Sequence, residues 1–171
     1  MPSPSTQSPI PLLRCPLPEG NRIGPVGGGC IQHKFFAMEE AAVPFVDATA
    51  LEKFVNEALV RRPRRPQDRV DLKTEALFLS HSDVTLKNFL WDPVAERVWM
   101  VDYQHVNILP QSFASFYLHR SSDPFVKAVA AKIDFPVSSK LDLLMQAAYI
   151  VLQSGNSSFG EPQRLYVSAV R

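Results

Sequence analysis

Asp83, Asn88 and Asp102 have the residue types and the order that phosphoryl transfer requires. They lie in the stretch His81-Ser82-Asp83-Val84-Thr85-Leu86-Lys87-Asn88, followed by a hairpin and then by Asp102 at the end of an apolar run. Phosphoryl transfer needs an oriented hydroxyl, a charge-neutralised triphosphate and a bridging metal ion rather than covalent help from the protein. An Asp on a tight loop can accept the proton of the attacking hydroxyl, which is the role open to Asp83. Asn88, further along the same loop, can reach a magnesium ion. Asp102, brought back by the hairpin, can complete that ion's shell, because magnesium takes one or two protein oxygens plus phosphates and water. Lys87 either touches the transferred phosphate or faces solvent. His81 is expected to brace the loop. The plainer reading is a surface loop that uses Asp and Asn as turn formers.

The same stretch resembles the aminoglycoside phosphotransferase and choline kinase group of protein-kinase-like folds, especially fungal aminoglycoside phosphotransferase domain proteins. His81-Ser82-Asp83 matches that family's catalytic His-Gly-Asp, and Asn88 its magnesium-binding Asn. Val101-Asp102-Tyr103 stands where the family carries Ile-Asp-Trp or Ile-Asp-Phe. The resemblance runs over residues 18–160 and is strongest over 77–118. It implies an α+β fold, mostly helical, with a small β-hairpin carrying the site, as in the C-terminal lobe of a kinase. It also implies Asp83 as base, Asn88 and Asp102 as metal ligands, Asn88 and Lys87 toward the nucleotide, and Mg2+ and ATP as cofactors. The acceptor is then a hydroxyl of a small molecule. Two departures stand out: Ser82 replaces the family's Gly, and Gln104 stands where an acidic residue is common.

Such enzymes hold ATP with an N-terminal lobe that supplies a glycine-rich loop and a strand Lys. Nothing before Thr49 reads that way, so a truncated, C-lobe-only chain is expected. Gly24-Pro25-Val26-Gly27-Gly28-Gly29 lacks both the Gly-Lys-Ser/Thr ending of a P-loop and the dinucleotide-binding glycine spacing. It is read as a loop or as the rim of an acceptor cleft. The alternative function is a catalytically inactive, pseudokinase-like or truncated remnant acting as a binding module. A third reading, nucleic-acid binding through Arg61 to Arg69, is not supported by the charge balance. The acids after Ser112 (Asp123, Asp134 and Asp142) are too scattered to favour a polycationic antibiotic as acceptor.

Several elements are needed to position these residues. Residues 1–20 read as a Pro-rich disordered tail, because each Pro lacks an amide donor. Residues 21–46 read as an irregular insert. Residues 47–62 read as a helix with a Thr49/Glu52 capping box and one buried face of Leu51, Phe54, Val55, Ala58 and Leu59. Ala76 to Leu79 reads as a buried strand. Asn88 to Trp91 and Arg97 to Val101 read as a hairpin about Asp92-Pro93. From Asp102 to about Pro110 a loop is expected. Helices are expected over Ser112 to Leu118, Pro124 to Lys132 and Ser138 to Leu152, the last presenting Leu141, Leu144, Met145, Ala148 and Leu152. Residues 154–171 read as a polar, frayed tail. Trp91, Trp99 and Tyr103 are assigned to the core, and His105 and His119 to the surface.

The chain of 171 residues fits one domain, and 46% hydrophobic residues can build a modest core. With 18 Lys and Arg against 17 Asp and Glu, no general attraction to nucleic acid or an anionic membrane follows. Cys15 and Cys30 form no Cys-x-x-Cys pair and are read as free thiols. No signal peptide and no apolar run of roughly 20 residues is seen, so a cytoplasmic location is expected. An exposed lobe interface is expected to drive self-association.

Overall fold

The computed structural model describes Leu17, residues 23–62 and residues 68–155. Most of the Pro-rich segment, the centre of the basic loop and residues 156–171 lie outside the described residues. The fold is mixed α+β, with four α-helices and two small antiparallel sheets among the described residues.

Helix α1 spans Ala48–Val60 and buries Leu51, Phe54, Val55, Ala58 and Leu59, the face its periodicity indicates. Its cap differs from the expected one. Asp47 takes the N-cap position and its carboxylate accepts from the Ala50 amide at 2.8 Å. Glu52 instead packs against the following segment and accepts from the amides of Leu72 and Lys73 at 2.8 and 3.1 Å, tying α1 to the chain that leads into the strand Leu77–His81. A carboxylate has capacity for two such donors, and two tertiary amides replace the local cap.

Strand β1 is Gly24–Pro25, β2 is Leu77–His81 and β5 is Val106–Pro110; they form one antiparallel sheet in the order β1-β5-β2. In β2, Leu77 faces Pro110 and His81 faces Val106. The segment expected to be a loop to Pro110 is therefore the central strand of this sheet. Asn107 to Pro110 are buried there. The polar Asn107 interrupts the apolar run Val106, Ile108, Leu109 and hides its strand character. Strands β3, Phe89–Asp92, and β4, Arg97–Met100, form the separate hairpin, with Phe89 opposite Met100 and Asp92 opposite Arg97. The turn is closed by Asp92, whose carboxylate accepts from the Val94 and Ala95 amides at 3.0 Å.

Residues 23–46 are irregular but are no loose insert. Ile31, Phe35, Phe36 and Phe45 sit in the main core with α1, with Phe113 and Phe116, and with Leu144 and Val151. Phe35 meets Phe36 and Phe113 at ring centroid distances of 5.1 and 5.2 Å. Helix α2, Gln111–Arg120, runs through the centre and buries every residue from Ser112 to Leu118. Helix α3, Pro124–Ile133, starts from an Asp123 N-cap with Pro124 in the first turn. It packs on α2 through a second cluster that includes Val84, Tyr117, Leu118, Val126 and Phe135.

Helix α4, Leu141–Ser154, packs on α1 and α2. Its buried residues are Leu144, Ala147, Ala148 and Val151, while Met145 and Leu152 are exposed. Leu144 and Ala148 are buried as expected, but the stripe continues through Ala147 and Val151 rather than Met145 and Leu152.

Candidate functional site

The loop between β2 and β3 is built around His81. Its Nδ1 accepts from the Asp83 amide at 3.0 Å, so the ring proton belongs on Nε2, which donates to the Asp102 carbonyl at 2.8 Å. One imidazole therefore fixes the backbone on either side of the hairpin. Burial lowers the His81 pKa, against the opposing effects of the Asp102 carbonyl and the nearby carboxylates. A neutral ring with both nitrogens engaged is a brace rather than an acid or base.

Asp83 and Asn88 meet directly. The Asn88 side-chain amide donates to the Asp83 carbonyl at 2.8 Å and to its carboxylate at 3.0 Å. This assignment turns the Asn88 side-chain oxygen away from Asp83. Asn88 is buried, its amide bonds the Thr85 carbonyl at 3.0 Å, and its carbonyl accepts from Val101 at 2.9 Å. That last bond extends the β3–β4 pairing and brings Asp102 beside the loop. Lys87 reaches the Asp83 carboxylate at 3.8 Å, but its side chain is 72% exposed, so the pair is weak and the ammonium free to move.

Asp102 sits at φ 62°, in the left-handed region that a non-glycine residue adopts at a steric cost. It is exposed, and among the described residues no hydrogen-bond donor engages its carboxylate. Its backbone is instead held from both sides, by the His81 bond and by the Val101 amide. Strain of this kind persists only where the surroundings fix it.

Ser82 is buried and lies outside the left-handed region. A side chain is therefore tolerated where the resembling family carries Gly. Its hydroxyl is used: it lies 2.8 Å from the Gln32 carbonyl and 3.3 Å from the His105 carbonyl. Asn107 donates to the same two carbonyls at 2.9 and 3.2 Å. A polar knot of Gln32, Ser82, His105 and Asn107 thus anchors the loop to β5 and to the irregular segment. Sequence reading missed Gln32 and Asn107, because 75 residues separate them and no local pattern marks the pair.

His33 was missed as well. It is fully buried, with Nε2 3.1 Å from the Phe113 carbonyl and Nδ1 accepting from the Phe35 amide at 3.0 Å. Burial pushes its pKa down to about 3. His105 and His119, expected at the surface, are half-buried; His119 Nε2 lies 3.0 Å from the Phe135 carbonyl. Cys30 is a free thiol whose pKa is raised by burial and by Glu40; Cys15 lies outside the described residues.

A cavity of about 740 Å³ lies against the loop. Asp83, Asn88 and Asp102 do not line it, but their neighbours His81, Ser82, Val84, Phe89 and Tyr103 do. Trp99 forms part of its wall. Trp91, Trp99 and Tyr103 are not core residues: they are 60%, 49% and 55% exposed. Arg97 stacks over the Trp99 ring at 4.3 Å.

Among the described residues no group of three His, Cys, Asp or Glu side chains could enclose a metal ion. One amide oxygen from Asn88 and one free carboxylate from Asp102 are hard oxygen ligands, suited to magnesium that keeps water and phosphate in its shell. Among the described residues no helix is long and apolar enough to cross a membrane. No family model, no curated protein and no solved structure matches this chain.

Proposed function

We propose that the loop and hairpin form the catalytic-loop half of a kinase-like phosphotransferase site, acting on a hydroxyl of a small molecule with ATP as donor. The observation that carries this reading is the junction of Asp83, Asn88 and Asp102, which His81 ties together through two hydrogen bonds. In this reading Asp83, held by the Asn88 amide, accepts the proton of the acceptor hydroxyl. Asn88 and Asp102 would hold magnesium, whose role is to neutralise charge on the transferred phosphate. Lys87, tethered loosely to Asp83, can swing to an equatorial phosphate oxygen. The resemblance to the aminoglycoside phosphotransferase and choline kinase group supports the same roles.

The described sheets are small, and none offers a glycine-rich loop with a partner Lys. This favours a second reading, in which the chain keeps the loop geometry but binds a metabolite or partner without catalysis. Calorimetric titration of ATP into the purified chain, with and without magnesium, separates the two. Binding that needs magnesium and is lost in Asp102→Asn supports the phosphotransferase half-site. A folded sample that binds no nucleotide leaves the non-catalytic reading.

A further inference from the structure

The cavity behind the loop is the feature that phosphoryl transfer does not use. It is a cleft, partly open to solvent, bordered by the loop after β2, by the hairpin, and by α2 and α3. Its wall is dominated by apolar and aromatic groups, among them Phe89, Trp99, Phe125 and Val129. Its volume of about 740 Å³ falls in the range of sites that take whole small molecules. His33 and His81 also line it, but their nitrogens are already committed to backbone partners. Among its polar groups are the buried Tyr117 hydroxyl and, in the last turn of α3, the exposed residue Lys132. It is the lining residue that carries a full charge, and it forms no ion pair among the described residues.

We infer that this cavity binds an apolar carboxylate, with the hydrocarbon or aromatic body between the hairpin and α3 and the carboxylate at Lys132. The inference does not depend on the phosphotransferase reading, since Asp83, Asn88 and Asp102 stand outside the cavity. The occupant would nevertheless bear on them. His81 and Ser82 flank Asp83, and Tyr103 follows Asp102, so a filled cavity buttresses the loop and the return of the hairpin from behind.

The test is calorimetric titration of dodecanoate, below its micelle concentration, into the full chain, with dodecanol as the uncharged comparison. Saturable binding of one dodecanoate per chain is expected, with a matching rise in melting temperature, because a ligand of the folded state stabilises it. Lys132→Gln should weaken dodecanoate about tenfold and leave dodecanol unchanged, as loss of a charge-assisted hydrogen bond predicts. Ala128→Phe should weaken both ligands. Ala128 is exposed on α3, so the added ring fills the cavity mouth without disturbing the core. Val129→Phe, a second filling variant, should do the same. No saturable binding, or unchanged binding in both filling variants with cooperative melting preserved, would overturn the site. Equal affinity for dodecanoate in wild type and Lys132→Gln would overturn the carboxylate assignment.

Discussion

The loop is held by side chains that are not themselves candidates for chemistry, and two of them make measurable predictions. Ser82 gives its hydroxyl to carbonyls of the irregular segment and of the turn before β5. Ser82→Gly restores the residue of the resembling family but removes that anchor and loosens the unfolded backbone. A loss of about 1–2 kcal/mol is expected, read as a lower urea midpoint at constant slope. An unchanged midpoint would mean that Asn107 alone holds the Gln32 and His105 carbonyls. The second prediction concerns His33. Its folded pKa of about 3 lies below the unfolded value of 6.5, chiefly through burial, with the neighbouring His105 and Lys34 acting the same way and the Phe113 carbonyl opposing. Between these values the unfolded chain binds a proton that the folded chain refuses, so stability rises with pH across the window and is lost as pH falls below 6.5. The slope from this group is about 1.4 kcal/mol per pH unit. His81, lowered in the same direction, adds to it. Urea titrations from pH 7 down to pH 4 should show this slope, and His33→Gln should flatten it while keeping a donor for Phe113. A wild-type profile that is already flat would remove His33 as its source.

At the scale of elements, the start of α1 is decided by a tertiary competition that a local motif cannot reveal. Asp47→Ala should destabilise the fold by about 1 kcal/mol, the usual worth of an N-cap, while Thr49→Ala should be near neutral. Thermal melts of the two variants distinguish the Asp47 cap from the Thr49/Glu52 box, and the reverse order would restore the box. Periodicity marked the buried face of α1, since five apolar residues at helical spacing admit little else. The β3–β4 hairpin was legible for a similar reason: Asp92-Pro93 is a strong turn signal between two β-branched and aromatic runs. β5 was not legible, because its pairing with β2 is long-range and its buried Asn107 looks like a loop residue until Gln32 is placed beside it. The stripe of α4 was read only in part, with Leu144 and Ala148 right and Met145 and Leu152 not, by the same blindness to partners. Ala147 and Val151 join the core that α4 shares with α1, a placement that belongs to the pair of helices and not to either sequence. Within the candidate site, spacing singled out Asp83, Asn88 and Asp102 as the residues proposed for chemistry. Ser82, Gln32 and Asn107, which fix that spacing in space, were found only when the chain was folded.

For the whole molecule, the hairpin is the part least covered by the rest. Leu90 and Trp99 oppose one another on one face, and Trp91 and Val98 on the other; all four are about half-exposed or more. Among the described residues β3 pairs only with β4, so each strand presents a free edge. An isolated two-stranded hairpin is marginal in water, and exposed apolar edges invite pairing with another chain. Phe89 secures its base by packing on Phe125 at 5.3 Å, but nothing comparable covers the outer half. Concentration-dependent self-association is therefore expected at micromolar chain. Sedimentation velocity over a dilution series should show it in the wild type, and Trp91→Lys should abolish it, because a charged side chain blunts the strand edge. Trp91 does not line the cavity, so the same variant should still bind dodecanoate, which separates the association surface from the ligand site. A wild-type chain that sediments as a monomer at every concentration would show that the outer hairpin is stable without a partner. The loop geometry would then be self-sufficient, with the Val101–Asn88 bond and the Phe89–Phe125 contact enough to hold Asp102 in place.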